Sequence, residues 1–137
     1  IEGQQVDHPI DTLEAVTNAK EIIELQESVR HIFVDDLIKQ YIVTVVDATR
    51  NHQDIALGAS PRGSLALFRG AQALALIRDR DFVLPDDVKE LTASMLSHRV
   101  IVSAAARMRG IKASEIIDNI VSEITVPGAQ AADRARR

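Results

Sequence analysis

The stretch Gly58-Ala59-Ser60-Pro61-Arg62-Gly63-Ser64-Leu65, continued by Ala66-Leu67-Phe68-Arg69-Gly70-Ala71-Gln72-Ala73-Leu74-Ala75-Leu76-Ile77-Arg78, decides how this chain is read. Ser60-Pro61 is a helix start. Serine favours the N-cap, and proline suits the first helical position, where its missing N–H costs nothing and its φ is already helical. From there to about Arg78 the pattern is apolar on nearly every side, interrupted chiefly by Arg69 and Gln72. A helix of that kind belongs at the centre of a domain rather than on its surface. Ala66, Gly70, Ala71, Ala73 and Ala75 are small enough to let neighbouring helices approach. Gly70 costs about 1 kcal/mol relative to alanine in a helix, so close packing is the expected compensation.

Working outward, residues 1–17 carry the turn signal His8-Pro9 and no periodic pattern, and read as an extended connector. Asn18 with Glu21 forms a capping box that opens a helix, and Ile22, Leu25 and Val29 give that helix one stripe expected to be buried. Ile32-Phe33-Val34 is a short apolar run. Asp35 and Asp36 then start a helix whose face is Ile38, Tyr41, Ile42, Val45, Val46 and Thr49. Residues 50–54 read as a polar loop and 78–81 as a charged turn. Pro85 restarts a helix with Val88, Leu91, Thr92 and Met95 on one face. Val100-Ile101-Val102 is the best strand candidate, expected to pair with residues 32–34. Gly110 closes a turn, and a last helix carries Ile116, Ile117, Ile120, Val121 and Ile124 and ends at Val126-Pro127. The tail 128–137 has no large apolar residue and is expected to be disordered. The expectation is an all-α domain over 18–127: a helical bundle of about five helices with one short two-stranded β ladder.

The composition narrows the function. At 137 residues the chain suits one domain. The absence of cysteine removes disulfides, zinc thiolate sites and thiol nucleophiles. Sixteen basic against 20 acidic residues give a formal charge of −4, which argues against a nucleic-acid surface. No apolar run approaches the roughly 18 residues of a membrane span, and the N-terminus is no signal peptide. The chain begins with Ile1 rather than Met, so it is expected to be a piece of a longer protein working in the cytoplasm.

Few residues invite chemistry. Gly58 and Gly63 stand at P-loop spacing, but Ser64 occupies the place of the lysine that reaches phosphate, so the phosphate-cradle reading fails. The pairs Asp35-Asp36 and Asp86-Asp87 each open a helix, where dipole complementarity accounts for them. His8, His31, His52 and His98 share no metal-ligand spacing. Arg62 is the exception, because a cation at the second position of a helix meets the positive end of the dipole and is disfavoured by about 0.3–1 kcal/mol. Two readings of it stand: a solvent-facing arginine paired with an acidic neighbour, or a contact to an anion that the helix N-terminus also attracts.

The segment Ala56–Val100 resembles the C-terminal lid of MoxR-type AAA+ ATPases. The resembling motifs are Ala-Leu-Gly-Ala-Ser-Pro-Arg at 56–62, Leu-Ala-Leu-Phe-Arg-Gly-Ala-Gln-Ala-Leu-Ala-Leu at 65–76, Arg-Asp-Phe-Val-Leu-Pro-Asp-Asp-Val-Lys at 80–89 and Leu-Ser-His-Arg-Val at 96–100. Fainter likeness extends the match to about residues 8–127. The resemblance implies a lid that follows an α/β ATPase core holding Walker A and Walker B, neither of which is in this chain, so the chain alone would be inactive. It implies that Arg62 is the second sensor, reaching the γ-phosphate of ATP whose Mg²⁺ the core holds. Arg69, seven residues or about two turns further on, would face the same site or a neighbouring subunit. The implied partners are the protein's own core, the other subunits of a homohexamer and proteins with von Willebrand factor A domains, in chaperone-like remodelling or cofactor insertion; nucleic acid and membrane are not among them. Two departures stand out: Leu84 replaces a Ser or Thr N-cap, and Gly63 replaces a more usual alanine. The competing class is a freestanding helical module that binds a protein without nucleotide chemistry.

Overall fold

A computed structural model describes residues 13–126. Among them the order is α1 (Ala19–Val29), α2 (Asp36–Asn51), β1 (Ile55–Leu57), α3 (Pro61–Ile77), α4 (Pro85–Leu96), a 3₁₀ turn (Ser97–Arg99), β2 (Ile101–Val102), α5 (Ala104–Met108) and α6 (Ala113–Glu123). This is the expected all-α bundle with one two-stranded ladder. It holds one helix more than the periodicity revealed. The addition is α5, five residues long and too short to display a 3.6-residue period, started by Ser103, whose hydroxyl accepts from the Ala106 N–H at 3.3 Å.

The helix that opened the reading is the central one. α3 packs against both α2 and α4, with Leu67, Ala71 and Ala75 fully buried. Gly70 lies against α4 so closely that a Cβ there would come within 2.6 Å of the Met95 thioether, which is the close packing its cost required. The α2 face is buried as read, at Ile38, Tyr41, Ile42, Val45, Val46 and Thr49. α6 closes the core with Ile116, Ile117 and Ile120. Gly110 has φ +76° with open space around it, so backbone conformation alone explains the glycine.

Three expectations are corrected. Asn18 and Glu21 do form the capping box, with Asn18 Oδ1 accepting from Lys20 and Glu21 at 3.0 and 3.1 Å. Yet no residue of α1 is buried, and Ile22 and Leu25 are 42% and 51% exposed. Capping and periodicity make a helix amphipathic; they do not supply a surface to cover its stripe. The strand at 101–102 pairs antiparallel with Ile55–Leu57 rather than with 32–34. Phe33 instead makes a lone parallel bridge with Phe82, its N–H donating to the Asp81 carbonyl at 2.8 Å and its carbonyl accepting from Val83 at 3.0 Å. The polar loop starts later than read, since α2 runs through Asn51. Residues 1–12 of the expected connector 1–17, the tail 128–137 and the closing Pro127 lie outside the described residues.

The α3–α4 junction is held by charge. Asp87, 1% exposed, accepts from Arg78 at 3.1 Å, from Arg80 at 2.6 and 2.9 Å, and from the Leu84 N–H at 2.8 Å. Leu84 makes no side-chain cap, as its chemistry requires, but Asp87 supplies the reciprocal half of a capping box. Burial pushes the Asp87 carboxyl upward in pKa. The Arg80 and Leu84 hydrogen bonds, with Arg78, outweigh that and hold it below the usual carboxylate range.

Candidate functional site

The start of α3 is positioned by the end of α2. Thr49 is fully buried and turns its hydroxyl toward Ala59, accepting from the Ala59 N–H at 2.9 Å while donating to the Val46 carbonyl at 2.6 Å. Arg50 donates from Nε to the Ala59 carbonyl at 2.9 Å. Both polar groups of the Ala59 backbone are thus gripped by consecutive residues of α2. Gly58 sits where any Cβ would fall 2.6 Å from the Arg50 Cα, so the turn leading into α3 lies directly on that helix end. Ser60 occupies the N-cap position with extended backbone (φ −77°, ψ 169°), but its hydroxyl makes no capping bond. The expected serine cap is therefore present in backbone only, with the Gly63 N–H bonded to the Ser60 carbonyl at 2.7 Å.

Arg62 stands at the second position of the helix, as the Ser-Pro start requires, and is exposed. The first turn of α3 contains no acidic residue. Among the described residues its guanidinium forms no ion pair within 4.0 Å, so the reading in which a local carboxylate neutralises it is not realised. A cation thus lies at the positive end of the central helix with no carboxylate among the described residues to offset it. Beside this turn an open cleft of about 680 Å³ is floored by residues 56–61 and walled by Arg50 and Arg99. An apolar strip between α2 and α3 adjoins it, where Val43 and Leu65 are 58% and 65% exposed.

Arg69 is placed differently. Its guanidinium donates to Gln72 Oε1 at 3.0 Å and lies 5.6 Å from the Phe68 ring centre. Gln72, buried, donates in turn to the Ile32 carbonyl at 2.7 Å, which ties the middle of α3 to the segment before α2. Arg69 does not line the cleft, and Arg62 stands beside its floor, one residue past Pro61, rather than in its lining. Among the described residues no group of three or more His, Asp or Glu side chains is placed to hold a metal ion. None of their helices is long and apolar enough to cross a membrane.

The cleft walls were not legible in the sequence. Arg50 read as the first residue of a loop and Arg99 as an unremarked part of a motif. Only the folding of α2 and the 3₁₀ turn against α3 brings them to the same place. Thr49 gave a signal that went unused: a hydroxyl on an otherwise aliphatic buried face needs an acceptor and a donor.

Residues 47–120 match the family model described as the AAA lid domain. The chain belongs to the AAA lid domain family, in its MoxR type. The Bacillus subtilis protein YeaC, itself uncharacterised, is 44% identical over 131 residues, covering 96% of this chain and 41% of YeaC. The chaperone MoxR1 of Mycobacterium tuberculosis is 32% identical over 85% of this chain and 33% of its own length. A crystal structure of a candidate ATPase from Cytophaga hutchinsonii superposes with a TM-score of 0.75 at 30% identity, covering 78% of this chain and 35% of that one. The lid therefore spans well under half the length of the relatives it matches.

Proposed function

We propose that this lid is the nucleotide-sensing part of a larger MoxR-type ATPase and that Arg62 reaches the γ-phosphate of ATP bound by a preceding core domain. The observation that carries the reading is the unoffset charge: an exposed arginine in the first turn of the central helix, uncapped by Ser60 and without a carboxylate partner among the described residues. A phosphate between that guanidinium and the opening N–H groups turns an unfavourable placement into a favourable one. The apolar strip at Val43 and Leu65 beside the cleft gives a nucleotide-bearing domain a surface to rest on.

In this reading Arg62 neutralises part of the charge that develops on the transferred phosphoryl group and ties the position of α3 to the presence of that group. When hydrolysis removes the γ-phosphate the tie is lost and the lid is free to rotate. The Mg²⁺ of the substrate would be held by the core, as the resemblance implies. The full-length protein would work in a ring of identical subunits, in the cytoplasm, on protein clients and with von Willebrand factor A partners, as the resemblance to MoxR proteins implies. In the full-length protein, Arg62→Ala should lower ATP turnover by about tenfold or more while circular dichroism of the variant stays unchanged. Unchanged turnover would remove Arg62 from the mechanism and the nucleotide-sensing reading with it.

A further inference from the structure

Arg99 comes to the opening turn of α3 from a different element, the 3₁₀ turn that follows α4. Its aliphatic stem passes over Gly63, the neighbour of Arg62. A Cβ on Gly63 would lie 3.2 Å from Leu96 Cδ2 and 3.3 Å from Ala59 Cβ, so the glycine eases the fit of those two side chains, while Arg99 Cδ at 3.9 Å would be in ordinary contact. Arg99 Nε is committed to the Met95 carbonyl at 3.0 Å. That bond orients the planar fork, and among the described residues no carboxylate lies within 4.0 Å of its terminal nitrogens. Arg50, the other wall of the cleft, is likewise oriented through Nε, by the Ala59 carbonyl, and has only a 3.7 Å contact to Asp47.

Two guanidinium forks, each held by one backbone carbonyl, therefore border a cleft of about 680 Å³. They do so in a chain with a formal charge of −4, where carboxylates are the commoner charge. Like charges gathered this way repel one another unless an anion bridges them. A fixed planar fork matches phosphate oxygens in pairs, which a flexible ammonium does not. We propose that Arg99 is a second phosphate-binding residue of this lid and that its cleft with Arg50 takes the inner phosphates of the chain whose terminal group Arg62 holds. The site is then selective for a polyphosphate over a single phosphate. This rests on the Arg62 reading and adds to it a residue and a ligand class.

The test uses the 137-residue chain, with inorganic tripolyphosphate and orthophosphate as probes and amide NMR shifts at Gly58–Gly63 and Arg99 as the readout. Tripolyphosphate should bind at least about fivefold more tightly than orthophosphate, because more oxygens meet fixed donors. Arg99→Met, which keeps the stem over Gly63 and so guards against a packing defect in Arg99→Ala, should abolish that preference while leaving orthophosphate binding within about twofold. Arg99→Lys should restore part of it. The inference is overturned if Arg99→Met leaves tripolyphosphate affinity within about twofold while Arg62→Met weakens it; the Arg62 reading then survives alone. No preference in the unaltered chain, or shifts confined to other surfaces, also overturns it. If neither substitution alters binding, the Arg62 reading loses its support as well.

Discussion

Just beyond the C-terminal end of α3, Arg78 and Arg80 close on the buried Asp87 at 3.1 and 2.6 Å, and Arg78 also meets Glu90 at 2.7 Å. At the N-terminal end Arg62 and Arg99 meet no carboxylate among the described residues, and Arg50 meets one only at 3.7 Å. The residue type is the same and the use is opposite. At one end the chain supplies the anion and the arginines staple α3 to α4. At the other end no carboxylate among the described residues closes on Arg62 or Arg99, which is the arrangement the proposed phosphate site requires. The two groups of arginines thus differ in whether their charge is answered among the described residues.

The comparison breaks first at Asp87. Asp87→Ala removes the shared acceptor of two arginines and of the Leu84 N–H. It should cost about 2–3 kcal/mol in chemical denaturation, less than the 3–5 of a fully buried pair because Arg78 and Arg80 keep access to water. A loss below about 1 kcal/mol would mean the staple is ornamental and the contrast between the two ends is empty.

Acid probes the same contrast without mutation. The folded-state Asp87 pKa lies below its unfolded value, so the unfolded chain takes up a proton more readily and protonation favours unfolding. Its contribution is therefore complete above the unfolded value of about 4 and is lost as pH falls through the lower folded value. Denaturation midpoints measured from pH 6 downward should fall over that window in the unaltered chain and fall less in Asp87→Asn. Equal slopes in the two proteins would detach the acid sensitivity from this carboxylate.

At the other end, Arg62→Ala should leave stability within about 0.5 kcal/mol, or raise it slightly, because a cation at a helix N-terminus is unfavourable when no anion is bound. A substantial loss in thermal unfolding would reveal a structural partner for Arg62 and erase the difference between the ends. The smallest effect belongs to Tyr41, whose buried hydroxyl has no partner among the described residues and whose pKa is raised by burial and by the Asp86 charge. Tyr41→Phe should be neutral or stabilising by up to about 1 kcal/mol, since no hydrogen bond is lost. A clear destabilisation would point to a buried water bonded to the Tyr41 hydroxyl.

How much was legible can be judged residue by residue. The buried face of α2 and the start of α3 at Ser60-Pro61 were read correctly, because both rest on spacing along one helix and on backbone chemistry within a few residues. Arg62 was found for the same reason: its position two residues past a Ser-Pro start places it against the dipole whatever the rest of the chain does. The stripe of α1 was misread, since amphipathicity reports a preference for burial and not the presence of a neighbour. The partner of β2 was misread because a three-residue strand, Ile55–Leu57, carries too little alternation to be told from a loop. Arg78-Asp79-Arg80-Asp81 read only as a charged turn, yet the carboxylate that binds both arginines is Asp87, seven residues past Arg80.

Local order along the chain was enough to determine an all-helical domain, its central helix and the one arginine set against a helix dipole, because helix periodicity and capping act over a few residues. Which arginines are answered and which are left open was decided only by tertiary structure. Charge pairing depends on distance in space, and Arg50, Arg62 and Arg99 come from elements whose meeting point no local pattern encodes.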